Sequence, residues 1–299
     1  MKKSLKDLYS EWLKNNKWYS LNTVDNYTRS INRFDNFIKN LSFDGYWVEE
    51  CEKIKLYHIS LFISDLRDQW LEVRTCNNIL SAIRKFLRFC LILWYKVIDY
   101  NAIEYWKEYK KKIWYLSEEE QKRLINTARH DKTPELIRMR NLSIIYLFLY
   151  TWMRVSELAD LKVEQIAEEF QIAWKWWTVR PTYLFNDHIR CLNLYWFLRE
   201  WKKIYSDYAF CSHSRNYPSR KMSRNSIENI IKKMWEKAGI PQLFPHKLRH
   251  TFATNLLRQW TNLYLIQQLL WHKSISTTQC YLWATNIELE NEVKKLHKY

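Results

Sequence analysis

The sequence predicts a mainly α-helical protein of two domains, of which the second also carries a small antiparallel sheet. Three observations predict this fold class. The chain has 299 residues, a length typical of about two domains of roughly 100–200 residues each. Apolar residues recur at helical spacing through the first hundred positions, and short β-like stretches appear only in the second half.

The first domain is predicted over residues 1–100, as four amphipathic helices joined by short connections. The first helix has Ser4 as its candidate N-cap and places Leu5, Leu8 and Leu13 on one face. The other three helices are predicted in the stretches SLNTVDNYTRSINRFDNFIKN, LYHISLFISDLRDQW and RTCNNILSAIRKFLRFCLILW.

The second domain is predicted over residues 117–299, after a charged and aromatic linker at 101–116. It begins at Ser117, because SEEE matches a capping box. Further helices are predicted in ELIRMRNLSIIYLFLYTWMRVSELADL, NLYWFLREWKKIY, SRNSIENIIKKMWEKAGI, PHKLRHTFATNLLRQ and TNLYLIQQLL. Ser223 and Gly239 are the expected cap and end of one of them. Short strands are predicted in QIAWKWWTVRPTYL and HIRCLNL.

The charge of the chain indicates a polyanionic partner. Lys and Arg number 48 against 32 Asp and Glu, which gives a net charge of +16. A merely solvated basic surface is the alternative, and a membrane surface is disfavoured because no single basic amphipathic helix dominates. No apolar run is long enough to cross a bilayer, and the first residues lack the apolar core of a signal peptide.

The six cysteines form no CxxC pair, which favours a reduced, cytoplasmic protein without disulfides or a metal. The segment Cys211–His213 has no second ligand pair nearby.

The stretch PHKLRHTFATNLL places His246 and Arg249 one helical turn apart, so both can reach one anion. His250 makes an HxxxH pair with His246, but the zinc-protease motif needs Glu where Lys247 stands.

Four motifs, in order along the chain, resemble those of the tyrosine recombinase/integrase family, and the length and layout resemble its Xer subgroup. YTWMRVSEL matches the first arginine box and AWKWWTVR the sheet lysine. PHKLRHTF matches the HxxR box, and WHKSISTTQCY matches the third histidine and the nucleophilic tyrosine, nine residues apart. The resemblance covers nearly the whole chain. The catalytic residues that it implies are Arg154, Lys175, His246, Arg249, His272 and Tyr281.

The resemblance implies a SAM-like core-binding bundle, a catalytic domain, and the chemistry of phosphodiester exchange. Tyr281 would attack the scissile phosphate and form a 3′-phosphotyrosyl link. Arg154 and Arg249 would hold the non-bridging oxygens, since guanidinium groups offer paired donors. His272 would add a hydrogen bond, Lys175 would protonate the leaving 5′-oxygen, and His246 would act as acid or base nearby. Glu157 would hold Arg154 rather than react. No metal, ATP or other cofactor is needed.

The resemblance also implies the partners. They are a double-stranded DNA recombination site, clamped between the two domains, and either a homo-tetramer or a hetero-tetramer with a related recombinase on paired sites. The terminal helix, residues 287–299, would dock on a neighbouring protomer, although it could instead fold back on its own domain. Basic residues expected to contact DNA, or else to form ordinary solvated faces, are Arg74, Arg84, Lys85, Arg88, Arg220, Lys221 and Arg224.

Three functions therefore stay open. The first is site-specific recombination, in chromosome dimer resolution and segregation or in mobile-element integration. The second is a DNA-binding protein on the same scaffold without strand transfer. The third is a type IB topoisomerase-like relaxase, which shares the chemistry but needs no paired sites. The length and the N-terminal bundle favour recombination.

Tryptophan stands where a helix end or a tight turn favours glycine. Glycine occurs 2 times and tryptophan 17 times, whereas about 20 glycines are expected at a typical ~7%. Base-stacking platforms do not explain this placement, and eight overpacked sites would exceed the ~5–15 kcal/mol that stabilises a domain. The remaining interpretation is a gene in which UGA codons specify glycine. The eight positions are Trp18, Trp70, Trp94, Trp152, Trp174, Trp176, Trp260 and Trp271.

Overall fold

A computed structural model of the chain describes most of both predicted domains. The described residues are 3–16, 19–41, 48–108, 114–166, 169–173, 179–183, 186–214, 218–241, 244–259 and 261–270. The chain divides into two compact units, Met1–Lys110 and Lys111–Tyr299. The predicted fold class, mainly helical with a small antiparallel sheet, is confirmed. Within the described ranges, no helix combines the length and the hydrophobicity needed to cross a membrane.

The first unit contains the four predicted helices. They are α1 (Leu5–Asn16), α2 (Leu21–Leu41), α3 (Leu56–Asp68) and α4 (Val73–Ile92). Ser4 caps α1, because its Oγ accepts a hydrogen bond from the Asp7 N–H at 3.1 Å. Leu5 and Leu13 are buried, whereas Leu8, which was predicted on the same face, is exposed. Tyr9 is buried instead, because it lies four residues from each of the two buried leucines.

The first part of the predicted linker packs on the first unit. The Asn77 side chain on α4 donates to the Trp106 carbonyl at 2.9 Å and accepts from the Trp106 N–H at 2.8 Å. Arg84, also on α4, donates to the Ile103 carbonyl at 3.0 Å. Residues 101–106 are therefore fixed to α4 by both side-chain and main-chain groups.

The second unit is built around one central buried helix. Its helices are α5 (Glu118–Arg129), α6 (Glu135–Tyr150), α7 (Val155–Asp160), α8 (Asn186–Trp201), α9 (Arg224–Lys237), α10 (Pro245–Arg258) and α11 (Leu263–Leu270). Helix α6 is apolar and buried on nearly every side and packs against α5, α8, α9 and α10. Ser117 and Glu120 form the predicted capping box at the start of α5. Ser223 and Gly239 begin and end α9 as predicted.

Two antiparallel hairpins accompany these helices. Strands β1 (Glu169–Ala173) and β2 (Val179–Tyr183) pair with Ala173 opposite Val179, as predicted for this stretch. Strands β3 (Cys211–His213) and β4 (Pro218–Lys221) form a second pair that the sequence did not indicate.

The strand predicted in HIRCLNL was wrong, because these residues lie within α8. In this part of α8 the buried side chains are His188, Leu192 and Tyr195. They are spaced by four and three residues, which is the period of a helix and not of a strand.

Candidate active site

Arg154 stands at the N-cap of α7 and is held by one carboxylate. The Arg154 N–H donates to Glu157 Oε2 at 2.8 Å, and Arg154 Nη1 donates to Glu157 Oε1 at 3.0 Å. The Glu157 side chain is 6% exposed, whereas that of Arg154 is 25% exposed. A buried carboxylate thus fixes both the main chain and the guanidinium group of Arg154, and leaves part of that group at the surface.

Arg249 is buried on α10 and bridges two distant parts of the second unit. Its Nη1 donates to the Trp152 carbonyl, two residues before Arg154. Its Nη2 donates to the Leu270 carbonyl, the last residue of α11, at 2.6 Å. One guanidinium group therefore joins the segment that carries Arg154 to the end of α11, and two main-chain carbonyls set its orientation.

His246 lies one turn before Arg249 on α10, in a strongly positive field. Although its ring reaches the surface, partial desolvation lowers its pKa, and the positive charges of Arg249, Arg224 and Arg154 lower that pKa further. The Glu228 carboxylate acts in the opposite direction, with a smaller effect. The imidazole is therefore neutral at neutral pH, and the surrounding charge favours an anion beside it.

Helix α10, which carries His246 and Arg249, is anchored to the beginning of the unit. The Leu116 N–H donates to Thr251 Oγ1 at 2.9 Å, and the same hydroxyl donates to the Lys247 carbonyl at 2.8 Å. Asn255, one turn further along, donates to Gln121 of α5 at 3.0 Å. These contacts hold the helix along its length, so His246 and Arg249 project from an anchored element.

The structure brings together three of the six predicted catalytic residues: Arg154, His246 and Arg249. The other three lie outside the described residues. Lys175 belongs to the segment 174–178, between β1 and β2. His272 and Tyr281 belong to 271–299, as does the predicted terminal helix 287–299. Leu270, which Arg249 contacts, is two residues before His272 in the sequence.

The basic residues predicted near β4 and α9 line a cavity of about 900 Å³ beside α7. Arg220, Lys221 and Arg224 contribute to it together with Ser156, the second residue of α7. Lys221 pairs with Asp160 across the cavity. Three basic side chains and Ser156, which is two residues after Arg154, thus line the same basic cavity.

The four basic residues predicted on α4 have different environments. Arg74 and Arg88 are exposed. The Arg84 guanidinium lies 4.8 Å from the centre of the Tyr105 ring, in addition to its bond to the Ile103 carbonyl. The ammonium of Lys85 lies 5.2 Å from the centre of the Tyr19 ring. Arg84 and Lys85 therefore have structural contacts of their own.

Two family models match the chain. The model of the phage integrase family matches residues 115–286, and that of the phage integrase N-terminal SAM-like domain matches residues 7–91. The chain belongs to the phage integrase family. It is a Xer-like, tyrosine-type site-specific recombinase, as relatives along its whole length also indicate.

Among these relatives, the tyrosine recombinase XerC of Bacillus pumilus (strain SAFR-032) is 27% identical over 99% of this chain and 97% of its own length. The tyrosine recombinase XerA of Pyrococcus furiosus is 32% identical over 78% of each chain.

Solved structures share the fold of this Xer-like recombinase. A XerH site-specific recombinase bound to palindromic difH substrate, in a post-cleavage complex, has a TM-score of 0.74 at 19% identity. That match covers 97% of this chain and 94% of the other. A lambda integrase tetramer bound to a Holliday junction has a TM-score of 0.68 at 16% identity, over 93% of this chain and 75% of the other.

Sequence reasoning missed the groups that orient the arginines of this recombinase. Arg249 is held by the carbonyls of residues 152 and 270, and α10 is held by the Thr251 hydroxyl. A main-chain carbonyl has no signature in the sequence, because every residue type supplies one. Glu157 was detectable, since it follows Arg154 by three residues, which is capping-box spacing.

Proposed function

We propose that this recombinase cuts and rejoins double-stranded DNA at specific sites through a 3′-phosphotyrosyl intermediate. The observation that carries the proposal is the pair of oriented guanidinium groups near His246: Arg154 is held by Glu157, and Arg249 is held by two main-chain carbonyls. A scissile phosphate placed there would meet two oriented guanidinium groups and a neutral imidazole. Such pre-oriented charge stabilises a phosphorane without reorganisation during the reaction.

The proposed chemistry exchanges one phosphoester for another. The Tyr281 oxygen forms a bond to phosphorus, and the bond from phosphorus to the 5′-oxygen breaks. The Tyr281 hydroxyl gives up its proton to neutral His246, the acid/base group near the tyrosine and the phosphate, and Lys175 supplies the proton that the leaving 5′-oxygen takes up. Arg154, Arg249 and His272 hold the non-bridging oxygens. The reverse attack by a 5′-hydroxyl rejoins the strand, so the bond energy is conserved and no nucleotide cofactor is required.

The proposed substrate and assembly are a pair of double-stranded sites bound by four protomers. The net charge of +16 supports a DNA substrate. The recombinases with the same fold that are bound to difH substrate or to a Holliday junction support the assembly. The tetramer consists either of four copies of this chain or of this chain together with a related recombinase. The biological role is chromosome dimer resolution and segregation or mobile-element integration, in the cytoplasm.

A suicide substrate tests the proposed nucleophile. Duplexes spanning candidate sites from the chromosome that carries the gene are nicked beside the scissile phosphate, so that a cut releases a short fragment and traps the covalent complex. The wild-type chain is expected to form a DNA adduct that survives denaturing electrophoresis. Tyr281→Phe is expected to bind the same duplex and form no adduct. The matched control is Tyr264→Phe, at an exposed tyrosine of α11, which is expected to retain adduct formation.

The outcomes separate the open functions. An adduct that persists in Tyr281→Phe contradicts the assigned nucleophile. Binding without an adduct in the wild-type chain indicates a DNA-binding protein without strand transfer. Relaxation of supercoiled plasmids that lack any site indicates a topoisomerase-like relaxase, whereas site-dependent strand exchange between two duplexes indicates recombination.

A further inference from the structure

Among the described helices, four end with the same hydrogen-bonding pattern. The residue after the C-cap donates its N–H to the carbonyl three residues back, and these donors are Trp70, Trp94, Lys203 and Gly239. After the last three, the next residue donates to the carbonyl five residues back, which completes a Schellman motif. This motif requires left-handed backbone angles at the donor residue, and glycine is favoured there because it has no Cβ.

The backbone angles at these four positions agree with the motif. Gly239 has φ +64°, and the two tryptophans have almost the same values, +53° at Trp70 and +65° at Trp94. Lys203 has φ +54°. In an L-residue with these angles the Cβ lies too close to the following carbonyl oxygen, a clash that is most severe for bulky side chains. The backbone at 70 and 94 therefore has a conformation suited to glycine.

The indoles at these two positions contribute no packing that would offset the strain. Trp70 is 94% exposed and Trp94 is 93% exposed. Other tryptophans have clear structural roles. Trp196 donates its Nε1–H to the Ala209 carbonyl at 3.1 Å, and the buried Trp235 packs edge-on against the Phe244 ring. The indoles of Trp196 and Trp235 therefore stabilise the fold, whereas the structure gives no reason for an indole at positions 70 and 94.

We propose that the natural protein carries glycine at positions 70 and 94, specified by UGA codons. The composition supports this, because 2 glycines and 17 tryptophans stand in a chain of 299 residues. UGA is the codon that some genetic codes read as tryptophan and others as glycine, so one codon explains both the deficit and the excess. Gly239, at the equivalent position of α9, is specified by an ordinary glycine codon.

The structure also sets the limits of the proposal. Trp152 is buried in the core of the second unit, and its backbone is not left-handed, so its geometry does not require glycine. Lys203 shows that a left-handed helix end does not by itself require glycine, so the proposal for 70 and 94 also rests on the bulk of the unpacked indoles and the composition of the chain. The other five tryptophans in question, at 18, 174, 176, 260 and 271, lie outside the described residues.

Peptide mass spectrometry of the protein isolated from its own cells tests the proposal directly. Peptides that span positions 70 and 94 are expected to have the masses of glycine, and peptides that span 196 and 235 the masses of tryptophan. Tryptophan at 70 and 94 would overturn the proposal, as would UGG codons at these positions in the gene. Neither result depends on the activity of the protein, so the proposed recombination stands or fails separately.

A stability measurement tests the structural premise. In the chain that carries tryptophan at both positions, Trp70→Gly and Trp94→Gly are each expected to raise the Tm of the first unit by roughly 4–8 °C. The matched control is Trp196→Gly, which is expected to lower the Tm of the second unit because it removes a packed, hydrogen-bonded indole from a helix. If both helix-end variants melt at or below the temperature of the parent chain, the helix ends do not require glycine and the premise is wrong.

Discussion

The buried guanidinium group of Arg249 lies 2.6 Å from the carbonyl oxygen of Leu270, two residues before His272 in the sequence. The same side chain bonds to the Trp152 carbonyl, two residues before Arg154. Arg249 therefore joins the first arginine box to the beginning of the segment that carries His272 and Tyr281. Arg249 thus has a structural role in addition to the catalytic role proposed for it, and mutation can test both.

Arg249→Lys is expected to reduce both the rate of DNA cleavage and the folding stability of the second unit. A lysine keeps the charge, but one ammonium group cannot reach both carbonyls in the planar geometry of a guanidinium. A buried carbonyl left without a donor costs about 1–3 kcal/mol, and misplacement of the charge reduces the single-turnover cleavage rate by about 10²-fold. Thermal melts and suicide-substrate cleavage measure the two effects. Arg123→Lys, at an exposed position of α5, is the control and is expected to change neither.

Glu157→Gln is expected to slow cleavage without weakening DNA binding. Glutamine keeps one acceptor for the Arg154 N–H but loses the charge that orients the guanidinium group. The expected fall in cleavage rate is about tenfold to 100-fold, measured by single-turnover kinetics beside equilibrium DNA binding. Glu135→Gln removes an exposed carboxylate with the same spacing to an arginine, Arg138, and is expected to leave both measurements unchanged. An unchanged rate in Glu157→Gln would mean that Arg154 needs no such support.

Under mildly acidic conditions, DNA binding is expected to take up a proton at His246. In the free protein, desolvation and the charges of Arg249, Arg224 and Arg154 hold the pKa of His246 below its ordinary value. A bound phosphate is negative and raises that pKa, so protonation and binding favour each other. Affinity is therefore expected to increase as the pH falls through the range near and below 6.5, by up to tenfold per pH unit for one proton.

Binding isotherms from pH 7.5 to 5.5 measure this linkage at constant salt, because phosphate contacts are also salt-dependent. His246→Asn is expected to flatten the dependence on pH, and His130→Gln, at an exposed histidine after α5, is expected to preserve it. An equal slope in the wild type and in His246→Asn would place the titrating group elsewhere.

His213 is expected to make the second unit sensitive to acid. Burial, followed by the charges of Arg140, Arg199 and Lys202, lowers the pKa of His213 to about 4, against about 6.5 in the unfolded chain. As the pH falls below 6.5, the unfolded state binds the proton and the folded state does not. This contribution to stability is complete above pH 6.5 and is lost by up to ~1.4 kcal/mol per pH unit until about pH 4.

Chemical denaturation at pH 7 and pH 5 measures that loss. His213→Gln is expected to lose less stability between these two pH values than the wild type. His130→Gln serves as the control and is expected to follow the wild type. A parallel loss in His213→Gln would show that other histidines, such as the buried His188, dominate the response to acid.

The parts of the fold that were predictable are those that depend on neighbours in the sequence. The caps at Ser117 and Ser223 each follow from one side chain and a main-chain N–H three residues away. The spacing of Val24, Ile31 and Ile38 gives the buried face of α2 directly.

The errors occurred where burial or distant contacts decide the structure. HIRCLNL is a short mixed segment that fits the period of a strand as well as that of a helix, and the buried His188 does not look apolar in the sequence. In the site, His246 and Arg249 were visible as a pair one turn apart, whereas the carbonyl of Leu270 became a partner only through the packing of α11 against α10.

The hydrogen bond between the Leu116 N–H and Thr251 couples the beginning of the second unit to α10. Leu116 is where the chain enters the helices of that unit, and Thr251 lies on α10 between Arg249 and the end of the helix. The contact from Leu116 therefore reaches α10 less than one turn from Arg249. A displacement of Leu116 is therefore expected to shift the part of α10 that carries Arg249.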